Sequence, residues 1–167
     1  MSAMTHVYEF EVFHDEEFLL ALPFDFEGGT QGIDHRDLAE NAADWLKTMI
    51  EFSAMRGEPL PGPTFGNEPR RKGSIMLVAV DAGLHTIPRM TAAEAARALG
   101  VTPARVSHMI RDGQLDSFRY GHNTWVSRHH VEALMKSRRP PGRPHRAKDP
   151  AEKRPAPANR KEPALKA

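Results

Sequence analysis

Two helix-start signals flank a single glycine in the second half of this chain, and no other feature constrains its folding as tightly. Thr91 and Glu94 have the spacing of a capping box, in which a threonine hydroxyl accepts from the backbone three residues on and the glutamate reaches back. Gly100 adopts the left-handed conformation at little cost and so breaks the helix that Thr91 starts, which is expected to run through Ala98. Thr102 caps a second helix, with Pro103 at the first position, where a missing N–H does no harm. The stretch TAAEAARALGVTPARVSHMIRDG is therefore predicted to form two short helices, the second running to Asp112-Gly113. They cross closely only if the contact residue is small, as Ala96 is, and Val106, Met109 and Ile110 supply the apolar face.

At 100° per residue, this leaves Ala104, Ser107, His108 and Arg111 pointing away from the core, with Arg105 at the edge. Short polar and cationic side chains on the N-terminal half of a helix suit insertion into a DNA major groove. A helical hairpin that only packs shows the same pattern, so the flanking sequence matters. Leu115 to Tyr120 and Thr124 to Val126 flank Gly121-His122-Asn123, which predicts a β-hairpin, and Ser127 can cap a last helix over 128–137 with Val131, Leu134 and Met135 facing inward.

Residues 90–137 resemble the MerR/excisionase-type winged helix-turn-helix, through Thr91, Glu94-Ala95-Ala96, Leu99-Gly100-Val101, Val106, Ile110, Gly113, Leu115, Gly121, Val126 and Val131. The resemblance implies DNA contact by the second helix, at Thr102, Pro103, Ala104, Arg105, Ser107, His108 and Arg111, and by the wing, at Arg119, His122 and Asn123. The family often carries arginine just after the wing glycine, where this chain has His122-Asn123.

Earlier in the chain, HVYEFEVF alternates apolar and polar residues and predicts a strand with one solvated face. On that reading Glu9 and Glu11 lie on an edge strand and discourage edge pairing. The acids at 15–17 make a turn, Phe18 to Leu22 forms a second strand ending at Pro23, and a short extended piece follows the Gly28-Gly29 turn. Leu38, Ala42, Trp45, Leu46, Met49, Ile50 and Met55 then recur at helical steps, so residues 35–56 form an amphipathic helix, capped by Asp34 or Asp37 and ended by Gly57. Residues 57–73 are a Pro/Gly-rich surface loop. SIMLVAV, from Ser74 to Val80, reads as a strand buried on both faces or central in its sheet. Trp45, Trp125 and Phe118 are expected in the core.

The order β, β, short β, helix, β makes residues 5–82 an α+β domain. Over residues 6–82 it resembles the HicB-type antitoxin, with Tyr8 to Phe13 and Phe18 to Pro23 as strands, Thr30-Gln31-Gly32 before the helix, and Ala39-Glu40-Asn41-Ala42 in the helix body. This likeness implies a partner, a small basic mRNA-cleaving toxin of HicA type, together with homodimers or larger homo-oligomers and a C-terminal DNA-binding domain that represses the operon. The usual P-D-L-P-G-C segment is replaced by Pro23-Phe24-Asp25-Phe26-Glu27-Gly28-Gly29. The fold is related to part of RNase H, which raises a nuclease alternative in which Glu9, Glu11, Asp25 and Glu27 hold a metal. A solvated acidic face is the simpler account, and no catalysis, cofactor or metal is expected. His129 and His130 diverge by 100° on a helix and do not chelate one ion by themselves.

Charge separates the segments. Residues 1–81 hold 15 acids against 6 Lys/Arg (net −9), residues 82–137 hold 4 against 7 (net +3), and residues 138–167 hold 3 against 10 (net +7). A phosphate backbone is repelled by the first and attracted by the others. Seven of the 14 prolines fall in the last segment, which predicts a disordered basic tail. Residues 83–89 are then a hinge. There are no cysteines, no signal-like start and no run of eighteen apolar residues, which points to a cytoplasmic protein without disulfides or membrane spans. The expectation is an antitoxin that is also a transcriptional repressor of its own operon; the alternative is a stand-alone regulator whose first domain only dimerises.

Overall fold

The computed structural model describes residues 4–137, and the expected disordered tail over 138–167 lies outside them. The described chain is a mixed α+β structure with four helices and two antiparallel sheets. Strands β1 (Thr5–Asp15), β2 (Phe18–Pro23), β3 (Thr30–Gly32) and β4 (Ser74–Asp81) form the first sheet in the order β3-β2-β1-β4. Helix α1 (His35–Arg56) packs on one face of it.

Asp34 caps α1 by accepting from the Arg36 and Asp37 amides at 2.9 and 2.8 Å, and Gly57 closes it in the left-handed conformation at φ 66°. Leu38, Ala42, Leu46 and Ile50 recur every fourth residue and are buried against Tyr8, Phe10 and Val12 of β1, Leu19 and Ala21 of β2 and Val78 of β4. Each large side chain so buried contributes about 1.5–3 kcal/mol. Phe26 bridges Tyr8 and Trp45 edge to face, at 4.9 and 6.0 Å between ring centres. Trp45, expected in the core, is half-buried at its rim. Gly32 is required where β3 meets α1, since a Cβ there would lie 2.5 Å from the Leu38 amide nitrogen.

Two expectations about the sheet are overturned. β1 is an inner strand, paired with β2 on one side and β4 on the other, so it is not an edge. Its acids are not solvated either: Glu9 is 7% and Glu11 3% exposed. The loop 57–73 folds back over them. Glu9 accepts from the Gly66 and Asn67 amides at 2.8 and 2.9 Å and from the Asn67 side chain at 2.8 Å. Glu11 accepts from the Arg70, Arg71 and Gly73 amides at 2.9, 2.6 and 3.2 Å. A loop without internal sheet or helix has unpaired backbone donors, and here two carboxylates take them up. The second expectation concerned β4, which is the outer strand rather than a central one, with Leu77 61% and Ile75 37% exposed on the face away from α1.

Residues 83–88 form a turn in which the Thr86 hydroxyl lies 2.6 Å from the Glu51 carboxylate of α1 and accepts from the Gly83 amide at 3.0 Å, while Ile87 is buried. Beyond it, β5 (Arg89–Met90), β6 (Ser117–Tyr120) and β7 (Asn123–Ser127) make a second sheet in the order β5-β7-β6. Helices α2 (Ala92–Leu99), α3 (Pro103–Arg111) and α4 (Arg128–Ser137) pack with it around Ala95, Ala96, Leu99, Val106, Met109, Leu115, Val126 and Val131. β5 has no counterpart in the sequence reading. The turn between β6 and β7 is one residue shorter than expected, because Asn123 already pairs with Tyr120.

Candidate nucleic-acid interface

The α2–α3 pair is built from its caps. The Thr91 hydroxyl accepts from the Glu94 amide at 3.2 Å, and the Glu94 carboxylate accepts from the Thr91 amide at 2.7 Å, completing the box. The Thr91 N–H and hydroxyl hold the Glu94 carboxyl below its ordinary pKa; partial desolvation opposes this, and the charges of Arg97 and Arg128 assist it. Gly100, at φ 65°, ends α2 as its amide and that of Val101 bond back to Arg97 and Ala96. Ala96 is 2% exposed, as a close helix crossing demands.

Thr102 caps α3 by accepting from the Arg105 amide at 3.2 Å, and Pro103 follows at the first helical position. Val106 and Met109 are buried, at 0% and 7% exposure. Thr102, Pro103, Ala104, Arg105, Ser107, His108 and Arg111 are all exposed, so one helix face meets the core and the opposite face meets solvent. The Arg111 guanidinium contacts His108 Nδ1, and the Ser107 hydroxyl donates to the Pro103 carbonyl at 3.2 Å. Neither contact uses up the hydrogen-bonding capacity of this face: the guanidinium keeps further donors, and the serine keeps its lone pairs.

In the hairpin, Gly121 and His122 form the two-residue connection between Tyr120 and Asn123. Only Gly121 has positive φ, at 65°, the pattern of a type II′ turn. Arg119, His122 and Asn123 are exposed there. Sequence reasoning missed Arg89, whose guanidinium lies 4.7 Å from the Tyr120 ring centre and 5.1 Å from that of Trp125. The Trp125 indole donates to the Tyr120 carbonyl at 3.2 Å. Trp125 is thus half-buried under a cation instead of belonging to the core, whereas Phe118 is 5% exposed, as expected. An aromatic pair so close to a predicted turn was the available signal for a cation partner.

His129 is exposed, and His130 sits with Nδ1 3.0 Å from the Asp116 carboxylate. Glu9 and Glu11 engage loop amides, and Asp25 accepts from the Thr64 amide and hydroxyl at 3.0 and 2.7 Å. Among the described residues there is no group of three or more His, Asp or Glu placed to hold a metal, and no helix long and apolar enough to cross a membrane. Comparison with family models, curated proteins and solved structures gives no significant match.

Proposed function

We propose that this chain is a two-part DNA-binding regulator of antitoxin type. In this reading α2 and α3 with the β6–β7 hairpin act as a winged helix-turn-helix, α3 enters the major groove, and Ser107, His108 and Arg111 make base and phosphate contacts. The observation that carries it is the two-sidedness of α3, whose core face is closed by Val106 and Met109 while the cap Thr102 and Pro103, Ala104, Arg105, Ser107, His108 and Arg111 stay exposed. In this reading the first module is a HicB-type domain, which its element order β-β-β-α-β supports, and the net charge of −9 over residues 1–81 favours association with a basic protein, here a small mRNA-cleaving toxin. Binding that toxin neutralises it, and binding the operator represses the pair.

The reading of the first module as a dimerisation unit alone is favoured by the outer edge of β4, which has no strand partner among the described residues. One experiment separates the two. The full chain is co-expressed with the product of the adjacent gene and purified, and the complex is titrated with DNA from upstream of the operon. Retention of a small basic protein whose toxicity is relieved supports the antitoxin reading. Specific operator binding without such a partner leaves the stand-alone regulator.

A further inference from the structure

A cleft of about 450 Å³ opens between α1 and α4, a size usual for small-molecule sites. Glu51, Phe52 and Met55 line it from α1, at helical steps that leave Leu46 and Ile50 packed on the sheet. Ala133 lines it from α4, and the buried Ile87 and Ser127 contribute as well. Glu51 sets this cleft apart. It is 9% exposed, close to the 7% of Glu9, but the two carboxylates are served differently. Glu9 and Glu11 each accept three hydrogen bonds from the loop 57–73, whereas Glu51 accepts one, from the Thr86 hydroxyl to Oε1. An ionised carboxylate has room for about four donors. Among the described residues Oε2 has no donor, and no fully buried side-chain oxygen lacks a partner, so Oε2 is reached from the cleft. Asp116 adds a second, more open carboxylate, with His130 Nδ1 3.0 Å away. No Lys or Arg of the described residues lines the cleft. Arg56, four positions beyond Phe52, lies over its ring at 4.2 Å and pairs with Glu58 at 3.7 Å.

We infer that this cleft binds a small organic cation, an apolar or aromatic body that carries a primary ammonium or amidinium group. The N–H groups of that cation donate to Glu51 Oε2, and the body packs on Phe52, Met55, Ile87 and Ala133. A charged donor supplies what the half-served carboxylate lacks, and the apolar walls strengthen the bond by keeping the surroundings poorly solvated. A neutral molecule of the same shape gains the packing without the charge, and an anion meets two carboxylates. Because the walls belong to α1 and to α4, a bound cation ties the first module to the helices that follow it. Neither the antitoxin reading nor the DNA-binding reading uses this cleft, so the inference stands or falls apart from both.

The full chain is titrated at neutral pH with three probes of one shape, phenylpropylammonium, phenylpropanol and phenylpropanoate, and binding is followed by calorimetry and ligand-observed NMR. The ammonium is expected to bind with a dissociation constant on the order of 1 mM or below, as suits so small a ligand. The alcohol and the carboxylate are expected to bind roughly tenfold more weakly, or not at all. Glu51→Gln keeps an acceptor for Thr86 and removes the charge. It is expected to weaken the ammonium by roughly tenfold and to leave the alcohol as it was. Ala133→Trp, at an exposed position of α4, fills the cleft and is expected to abolish binding of the ammonium. Far-ultraviolet circular dichroism melts show whether both variants fold, and Ala133→Trp decides the matter if Glu51→Gln does not. Failure of the ammonium to bind overturns the inference, and so does equal binding of ammonium and alcohol. Binding of the ammonium that survives Ala133→Trp overturns it as well and assigns the cation to the acidic surface elsewhere.

Discussion

The Thr86 hydroxyl donates a 2.6 Å hydrogen bond to the Glu51 carboxylate, joining the turn that follows β4 to the last third of α1. Glu51 is 9% exposed, so loss of this donor leaves a largely buried carboxylate without it. Thr86→Val keeps the shape and removes the donor. It is expected to lower the free energy of unfolding by about 1.5–3 kcal/mol, the range for a hydrogen bond to a charged group. Urea unfolding followed by Trp45 and Trp125 fluorescence measures it, and a loss within error of zero means that water satisfies Glu51.

Glu9 and Glu11 make the loop 57–73 sensitive to acid. For Glu9 the backbone N–H groups of Asn67 and Gly66 lower the pKa, against partial desolvation; for Glu11 desolvation is the largest influence and raises it, but the Arg71, Arg70 and Gly73 amides and the Arg71 charge together prevail. A carboxylate with a folded pKa below its unfolded value adds stability that is present above the unfolded pKa and is lost as pH falls through the folded one. Thermal melts are therefore expected to fall steadily from the ordinary glutamate pKa of 4.5 downward. Glu9→Gln and Glu11→Gln reduce stability at neutral pH and flatten that acid limb. In Glu11→Gln trypsin is expected to cut faster after Arg70, Arg71 or Lys72, because a neutral amide oxygen holds the Arg70 and Arg71 amides less tightly than the carboxylate does.

What sequence could reveal here was whatever is local. The Asp34 cap, the fourfold repeat of Leu38, Ala42, Leu46 and Ile50, and the Thr91, Gly100 and Thr102 signals are interactions within a few residues, and each was legible. Glu9 and Glu11 were misread because their donors lie 57 to 62 positions away along the chain, where no periodicity reaches. An apolar run such as SIMLVAV states only that neither face needs water, so the same letters suit a central strand and an unpaired edge. β5, with two residues, is too short to carry a period, and that hid Arg89 beside Tyr120 and Trp125.

The face of α3 is tested by separating base reading from phosphate contact. Ser107→Ala or His108→Ala is expected to change the preferred sequence, with a discrimination loss of about 1–3 kcal/mol at one position. Arg111→Ala weakens specific and non-specific DNA alike. Binding titrations against a library of operator variants distinguish these outcomes, and equal losses on every sequence for all three variants place the reading face elsewhere.

Arg89 covers two rings of the hairpin, and Arg89→Met keeps the stem while removing the charge. A loss of stability of about 0.5–2 kcal/mol is expected from the lost cation–π contacts. A change in Trp125 emission should accompany it. If DNA affinity falls without any change in stability or emission, Arg89 touches DNA and does not merely brace the hairpin.

The last prediction follows from where the charge lies. Residues 1–81 carry −9 and residues 82–137 only +3, so a chain that binds DNA through α3 carries an acidic module close to a polyanion. The +7 of residues 138–167 offsets that repulsion. Deleting residues 140–167 removes 8 Lys/Arg and 3 acids, which takes the net charge from +1 to −4. Each phosphate no longer neutralised makes the plot of log affinity against log salt shallower by about 0.9. Truncation is therefore expected to weaken binding most at low salt and to flatten the slope, while the preferred operator stays the same because the proposed reading puts the base contacts on α3. Fluorescence-anisotropy titrations of both chains at several salt concentrations decide it. An unchanged slope means that the basic segment does not touch DNA, and a changed operator preference means that it reads bases.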